Sequence, residues 1–160
     1  MLGPAPFQFA PQAEKVEGAA FSPAFKTLTC AVIGWCGYWL LSLWLQGKFG
    51  GNPDIEGLRT AGWFILGWCL LACTGGYVLV SRIRLDEQGI TQTWMWTKHQ
   101  AYDDLAVAQL IRIRGLEWLM APRLYVRTLA GKFSVFYVSD GVVLSEMQRL
   151  AQELKGFRHM

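Results

Sequence analysis

Two long stretches of this sequence lack any Asp, Glu, Lys, Arg or His: residues 27–47, "TLTCAVIGWCGYWLLSLWLQG", and residues 60–81, "TAGWFILGWCLLACTGGYVLVS". Ion pathways and proton relays need an ionisable group at membrane depth, so this gap argues against a pump or an ion-coupled transporter. The missing His also removes haem ligation within these runs. Cysteine is missing everywhere else, because Cys30, Cys36, Cys69 and Cys73 all lie inside the runs. A disulfide framework is therefore not the reading, and a thiolate metal site would need both runs to converge in lipid. Neither a Gly-x-Ser-x-Gly elbow nor a phosphate-binding Gly loop with Lys and Ser or Thr occurs. The neighbouring acids Asp103 and Asp104 suit a turn better than acid and base catalysis, since adjacent residues on an extended chain point to opposite faces. His99 follows Lys98 in a turn-like stretch and reads as a solvent-exposed imidazole. The expectation is that the chain has no catalytic residue, no metal site and no cofactor, and is not an enzyme.

Charge is scarce overall: 17% of the residues are charged, against about 25% in an ordinary globular domain. What is present is apolar, with 52% hydrophobic residues and 8 Trp. Each uncharged run can cross a bilayer core of about 30 Å as a helix, for which roughly 20 residues suffice. Neither run shows the polar stripe of a half-exposed helix. The first run follows a tail holding Glu14 and Glu17 and has no small-residue cleavage site after it, so it is expected to remain as an anchor. Lys15 and Lys26 before the first run, and Arg82, Arg84 and Lys98 after the second, outnumber Lys48 and Arg59 in the connection. This bias predicts both termini in the cytoplasm. The connection "KFGGNPDIEGLR" carries a Gly-Gly-Asn-Pro turn signal and predicts an antiparallel helical hairpin over residues 27–81.

Residues 1–26, with Pro4, Pro6, Pro11 and Pro23, read as a flexible cytoplasmic tail. After the second run the period changes to two. In "RIRLDEQGITQTWMW", Ile83 and Leu85 alternate with Arg82 and Arg84, and Asp86 to Gly89 form the turn. Further strands fit "KHQAY" and "LAVAQLIRIR", and "RLYVRTL" and "KFSVFYV" flank Ala130-Gly131 as a hairpin. From Ser139, Val143, Met147, Leu150 and Leu154 recur at helical spacing, with Gly156 as a stop signal. A bent sheet or small barrel closed by this helix buries both apolar faces, which places a self-contained domain at residues 82–156 and a short tail at 157–160.

This order of elements resembles the bacterial pleckstrin-homology-like domains, in particular small membrane proteins with two helices followed by one such domain. The resemblance is carried by "RIRLDEQGI" directly after a membrane helix, by "AYDDLAVAQLIRI", and by "DGVVLSEMQRLAQEL" as the closing helix, and it covers about residues 27–155. It implies a mainly β domain held at the cytoplasmic face of a bacterial inner membrane. Eukaryotic members that grip phosphoinositides use basic residues around the first hairpin loop, whereas that loop here is the acidic "DEQG".

Two sets of candidate functional residues follow. Arg82, Arg84, Arg112, Arg114, Arg123 and Arg127 are expected to face anionic lipid or a partner. Residues 82–160 hold 11 Lys plus Arg against 8 Asp plus Glu, a mild excess that suits a lipid surface and not nucleic acid. Trp35 and Trp39 share a helix face, and Trp68 lies near the middle of the second run. These three are expected to form a membrane-partner surface, although small-residue packing through Cys30, Gly34, Cys69, Ala72, Cys73 and Gly76 is the plainer role of the runs. The expected function is a membrane-anchored module that binds a protein partner or itself. The rivals are an anionic-lipid sensor and an accessory subunit of a membrane complex.

Overall fold

The absence of any charge or Pro within the two apolar runs leaves nothing to interrupt a helix, and both become helical. In the computed structural model, which describes residues 6–12, 15–50 and 55–158, they are α1 (Pro23–Leu45) and α3 (Gly62–Val80). Pro23 suits the first helical position, where its missing N–H would have no partner. Beyond Leu45, Gly47 takes a φ of 69° and its N–H bonds the Trp44 carbonyl at 3.0 Å, which ends the helix. A short helix α2 (Ile55–Thr60) occupies part of the connection read from sequence as a plain turn. Residues 51–53 of the Gly-Gly-Asn-Pro signal lie outside the described residues. Both α1 and α3 are long and apolar enough to cross a membrane.

Residues Phe25–Leu79 form one of two compact units. Within it the helices run antiparallel: Lys26 Nζ donates to the Leu79 carbonyl at 2.9 Å, and Trp68 Nε1 donates to the Ile33 carbonyl at 3.0 Å. The close approach is made by glycines other than those expected. A Cβ at Gly37 would stand 2.9 Å from Trp68 Nε1, and one at Gly75 would collide with Ile33 Cδ1. Gly34 and Gly76 have open space where a Cβ would be, and Cys30, Cys69 and Cys73 are exposed. Spacing placed these small residues on shared faces, but only the rotation of each helix decides which face meets the other.

The second unit joins Met1–Ala24 to Val80–Met160. Here the expectation of an unstructured tail is corrected. Lys15–Ala19 forms strand β1, which pairs antiparallel with β2 (Arg82–Asp86), Val16 opposite Leu85 and Gly18 opposite Ile83. Phe7, Phe9 and Val16 are buried in the core, and Phe21 stacks on Tyr137 at 5.2 Å. The segment is only five residues long and alternates with Gly18 at one inward position, so period-two reading had little to detect. Its partner, β2, lies 63 or more residues away along the chain, beyond any local pattern.

After β2 come β3 (Gly89–Thr93) and β4 (Thr97–Ala101), completing a sheet in the order β1-β2-β3-β4. Asp86 Oδ1 accepts from the Gln88 and Gly89 N–H groups at 3.1 and 3.0 Å and so fixes the first hairpin. A second sheet consists of β5 (Leu105–Ile111), β6 (Arg123–Thr128) and β7 (Phe133–Tyr137) in that order. The structure is thus two antiparallel sheets and not a closed barrel. Where β7 ends near β1, the chain makes the Ser139 N–H to Ala19 carbonyl bond (3.1 Å) and then turns into helix α4 (Gly141–Arg158). Tyr137 N–H also bonds the buried Gln92 Oε1 at 3.2 Å, a side-chain link between the sheets.

One core serves both sheets and α4. It takes Ile83, Leu85 and Ile90 from the first sheet, Leu105, Leu124 and Phe136 from the second, and Met147, Leu150 and Leu154 from α4. Fully burying each such side chain contributes about 1.5–3 kcal/mol. Asp140 caps α4, its Oδ1 accepting from the Val142 and Val143 N–H groups at 2.9 and 3.2 Å. The helix continues through Gly156 where a stop and a tail were expected. Gly inside a helix costs about 1 kcal/mol relative to Ala. The last turn is held by Arg158 Nη2 on the Leu105 carbonyl at 2.7 Å and by Phe157 against Phe7 at 5.5 Å between ring centroids.

Candidate functional site

The six arginines chosen from sequence do not share one face. Arg82 and Arg84 project from the outer face of β2 beside Glu17 of β1, at 3.4 and 3.6 Å, with Lys15 at 3.1 Å from the same carboxylate. The Lys15 hydrogen bond, aided by the two guanidiniums, holds the Glu17 carboxyl below the usual carboxylate range. These two arginines thus meet an acid from the segment read as a tail. Arg112 and Arg114 lie past the end of β5, which stops at Ile111 instead of continuing through "IRIR". They are exposed on the connection between β5 and β6 and line a shallow depression with Glu117, Gln148 and Gln152. Among the described residues neither is in an ion pair.

Arg123 and Arg127 sit on the outer face of β6, and the pairing of the second sheet brings specific neighbours to them. Arg123 lies between Ile111 of β5 and Tyr137 of β7, and Arg127 between Val107 and Phe133. Each guanidinium lies over the adjacent ring, Arg123 at 5.5 Å from the Tyr137 centroid and Arg127 at 5.3 Å from that of Phe133. Tyr125 occupies the middle of this face with Gln109 and Val135 beside it. Phe21 covers the Tyr137 corner. The rest is open: Phe133 is 69% exposed, Val107 54%, and Ile111 and Tyr125 about 40%. No acidic residue stands at any of these outward positions. The connection leaving this sheet after Ile111 adds exposed Ile113, Leu116 and Trp118, shaped by the Met120 N–H to Leu116 carbonyl bond at 2.7 Å.

This apolar and aromatic surface was missed from sequence, though a signal for it exists. In "LAVAQLI" the apolar residues occupy both parities, Val107 and Ile111 outward and Ala108 and Leu110 inward. In "FSVFY" Phe133 and Val135 point out while Phe136 points in. A strand that is apolar on both faces is one expected to be covered on both faces. In contrast, the outer face of the first sheet is polar, with Thr91 Oγ1 and His99 Nδ1 in hydrogen-bond contact at 3.0 Å.

The tryptophans of the helical unit divide in the same way. Trp68 turns inward onto Gly37 and Ile33, whereas Trp35 and Trp39 face outward, 71% and 59% exposed. Trp35 and Trp39 therefore form a surface without Trp68. Asp103 and Asp104 are exposed in the turn between β4 and β5. Among the described residues no group of His, Cys, Asp and Glu has metal-site geometry. Compared with protein-family models, curated proteins and solved structures, the chain matches none.

Proposed function

We propose that this chain is a membrane-anchored interaction module: α1 and α3 cross a bacterial inner membrane with both termini in the cytoplasm, and the pleckstrin-homology-like β domain docks a protein partner through the outer face of the β5-β6-β7 sheet. The observation that carries the reading is that face. Tyr125, Phe133, Val107 and Ile111 are exposed together, two arginines lie over neighbouring rings, and acids are absent from its outward positions. Aromatic residues and Arg are the types enriched in interfaces, and an exposed apolar patch of this kind marks a contact surface. The anchor is supported by the exposure of Trp35, Trp39, Trp63 and Phe64 on helices that carry no charge beyond Lys26 in the first turn of α1, which in water would be a large aggregating surface. The role is binding and not catalysis.

The test places a photo-crosslinking residue at Tyr125 in the full chain in native membranes, with one at His99 on the outer face of the first sheet as the control. Protein adducts are expected from position 125 and not from 99, and Phe133→Glu should remove them. Equal crosslinking at the two positions, or adducts with lipid alone at 125, refutes the reading. A second reading, contact with anionic lipid, is favoured by Arg112 and Arg114, which stand exposed on the same connection as the exposed Trp118 and are in no ion pair among the described residues. It requires salt-sensitive binding to anionic vesicles that Arg112→Glu with Arg114→Glu abolishes. An accessory-subunit role would instead use Trp35 and Trp39, and Trp35→Leu with Trp39→Leu would then lower recovery of a membrane partner.

A further inference from the structure

The chain leaves the β-rich unit after Ala24 and re-enters it at Val80, and both crossings stand at one end of its sheets. Ser81, between the end of α3 and the start of β2, is held from two sides: its hydroxyl donates to the Thr93 carbonyl at 2.6 Å, and its carbonyl accepts from the Ala20 N–H at 3.3 Å. Strand β2 runs away from this end and β3 runs back to it, pairing Thr93 with Arg82. The β3-β4 connection, Trp94 to Trp96, therefore overshoots the start of β2. The β5-β6 connection is drawn to the same end, because Ser22 Oγ donates to the Leu119 carbonyl at 2.9 Å and Phe21 packs against both Trp94 and Tyr137. What these two connections show to their surroundings is apolar. Trp118 is 65% exposed and Trp96 59%, and Met95, Leu116 and Met120 are exposed as well. Charge divides the unit along the same axis. The turns at the opposite end carry Asp86, Glu87, Asp103 and Asp104, whereas the two connections hold Glu117 against Arg112 and Arg114, with Lys98 Nζ over the Trp94 ring at 5.6 Å.

The length of α3 says what meets this end. Its 19 residues rise roughly 28 Å, nearly the thickness of a bilayer core of about 30 Å, so Val80 falls at the boundary between hydrocarbon and headgroups. Ser81 and the connection it holds then fall in the headgroup layer, which is roughly 5–8 Å thick on each side. Indole rings favour that level, where the ring is in apolar surroundings and its N–H can reach an acceptor. A protein docking here would have to exclude lipid from the two points at which the chain enters the bilayer, whereas lipid surrounds those points already.

We propose that the Trp94–Trp96 connection, together with Trp118, is seated in the headgroup layer, so that aromatic side chains fasten the β domain to lipid in addition to its two chain crossings. The assignment rests on α1 and α3 spanning a bilayer, and it leaves the β5-β6-β7 face to the protein partner. In the full chain, a dansyl-bearing amino acid replaces Trp96, Trp118 or, as the control at the opposite end, Glu87, and each protein is reconstituted in vesicles of phosphatidylethanolamine and phosphatidylglycerol. Emission from positions 96 and 118 should lie to the blue of that from 87 and be quenched by a lipid carrying a nitroxide near its ester groups. Raised salt should change neither, because this contact is apolar, unlike one made by Arg112 and Arg114. Position 87 should emit as in water and stay unquenched. With the probe at 96, Met95→Asp plus Trp118→Asp should remove most of the quenching. Water-like emission at 96 in a chain that resists alkaline extraction, or quenching lost at raised salt, would overturn the proposal. So would a blue-shifted emission that the lipid quencher does not reach, since it would place a protein on this end. Unchanged quenching in the Met95→Asp, Trp118→Asp chain would overturn the role of these side chains and leave the crossings as the sole tether. A chain released by alkaline extraction would instead overturn the bilayer reading beneath the proposal.

Discussion

Removing the segment that precedes α1 should unfold the β domain, even though it leaves β2 to α4 intact. Three of its residues, Phe7, Phe9 and Val16, are 4%, 4% and 7% exposed within the core. At about 1.5–3 kcal/mol for each buried side chain, they account for roughly 5–9 kcal/mol. Part of this is discounted because unfolded chains already bury some apolar surface. A domain of this kind is stable by about 5–15 kcal/mol in total, so the loss is comparable with the whole. Deletion also exposes the edge of β2 along five residue pairs and removes the Gln12 N–H that donates to Glu146 at 3.3 Å, leaving that carboxylate with Arg149 at 3.0 Å. The assay compares residues 81–158 alone with residues 6–22 joined to 81–158 by a short flexible linker. Such a join is feasible because the Ala20 N–H reaches the Ser81 carbonyl at 3.3 Å. Urea unfolding followed by circular dichroism should show a cooperative transition for the joined chain and none for residues 81–158. Phe9 packs edge-on against Tyr102 at 5.4 Å and beneath the Arg149 guanidinium at 4.8 Å, so Phe9→Ala in the joined chain should cost about 3–5 kcal/mol. Equal transitions for the two chains, or a Phe9→Ala cost below about 1 kcal/mol, would refute the reasoning.

Gly37→Leu and Gly75→Leu should each lower the detergent thermal stability of the full chain, because a side chain at either position meets the opposite helix, whereas Gly34→Ala and Gly76→Ala should be tolerated. The Tyr102 hydroxyl is buried without a partner among the described residues, and burial, together with the nearby Asp86 and Glu146 charges, pushes its pKa up. Tyr102→Phe should therefore raise stability, by about 1 kcal/mol in a denaturant titration, and a loss of that size would reveal an acceptor for the hydroxyl. The folded-state carboxyl of Glu17 is held below the usual carboxylate range, first by Lys15, so its contribution is present above that range and is lost as pH falls through the lowered value. Glu17→Gln should flatten this acid limb of the stability profile slightly, as expected for an exposed ion-pair cluster; an unchanged limb would assign it to other carboxylates.

What local sequence determines here is what a short stretch of chain can settle by itself. Uninterrupted apolar runs specified α1 and α3, period-two alternation specified β2, Asp86 and Gly89 specified the turn that follows, and the spacing of Val143, Met147, Leu150 and Leu154 specified the buried face of α4. Tertiary structure alone decided the rest, because it depends on residues distant along the chain. The place of β1 beside β2 joins segments on either side of the helical hairpin, and so turned Phe7 and Phe9 from tail residues into core. Helix rotation chose Gly37 and Gly75 over Gly34 and Gly76, and turned Trp68 inward while Trp35 and Trp39 remained outside. Strand register placed Arg123 and Arg127 over Tyr137 and Phe133 and left Arg82 and Arg84 with Glu17, dividing a set of arginines that composition alone could not separate. A residue type is local, but the neighbour that gives it a role is supplied by the fold.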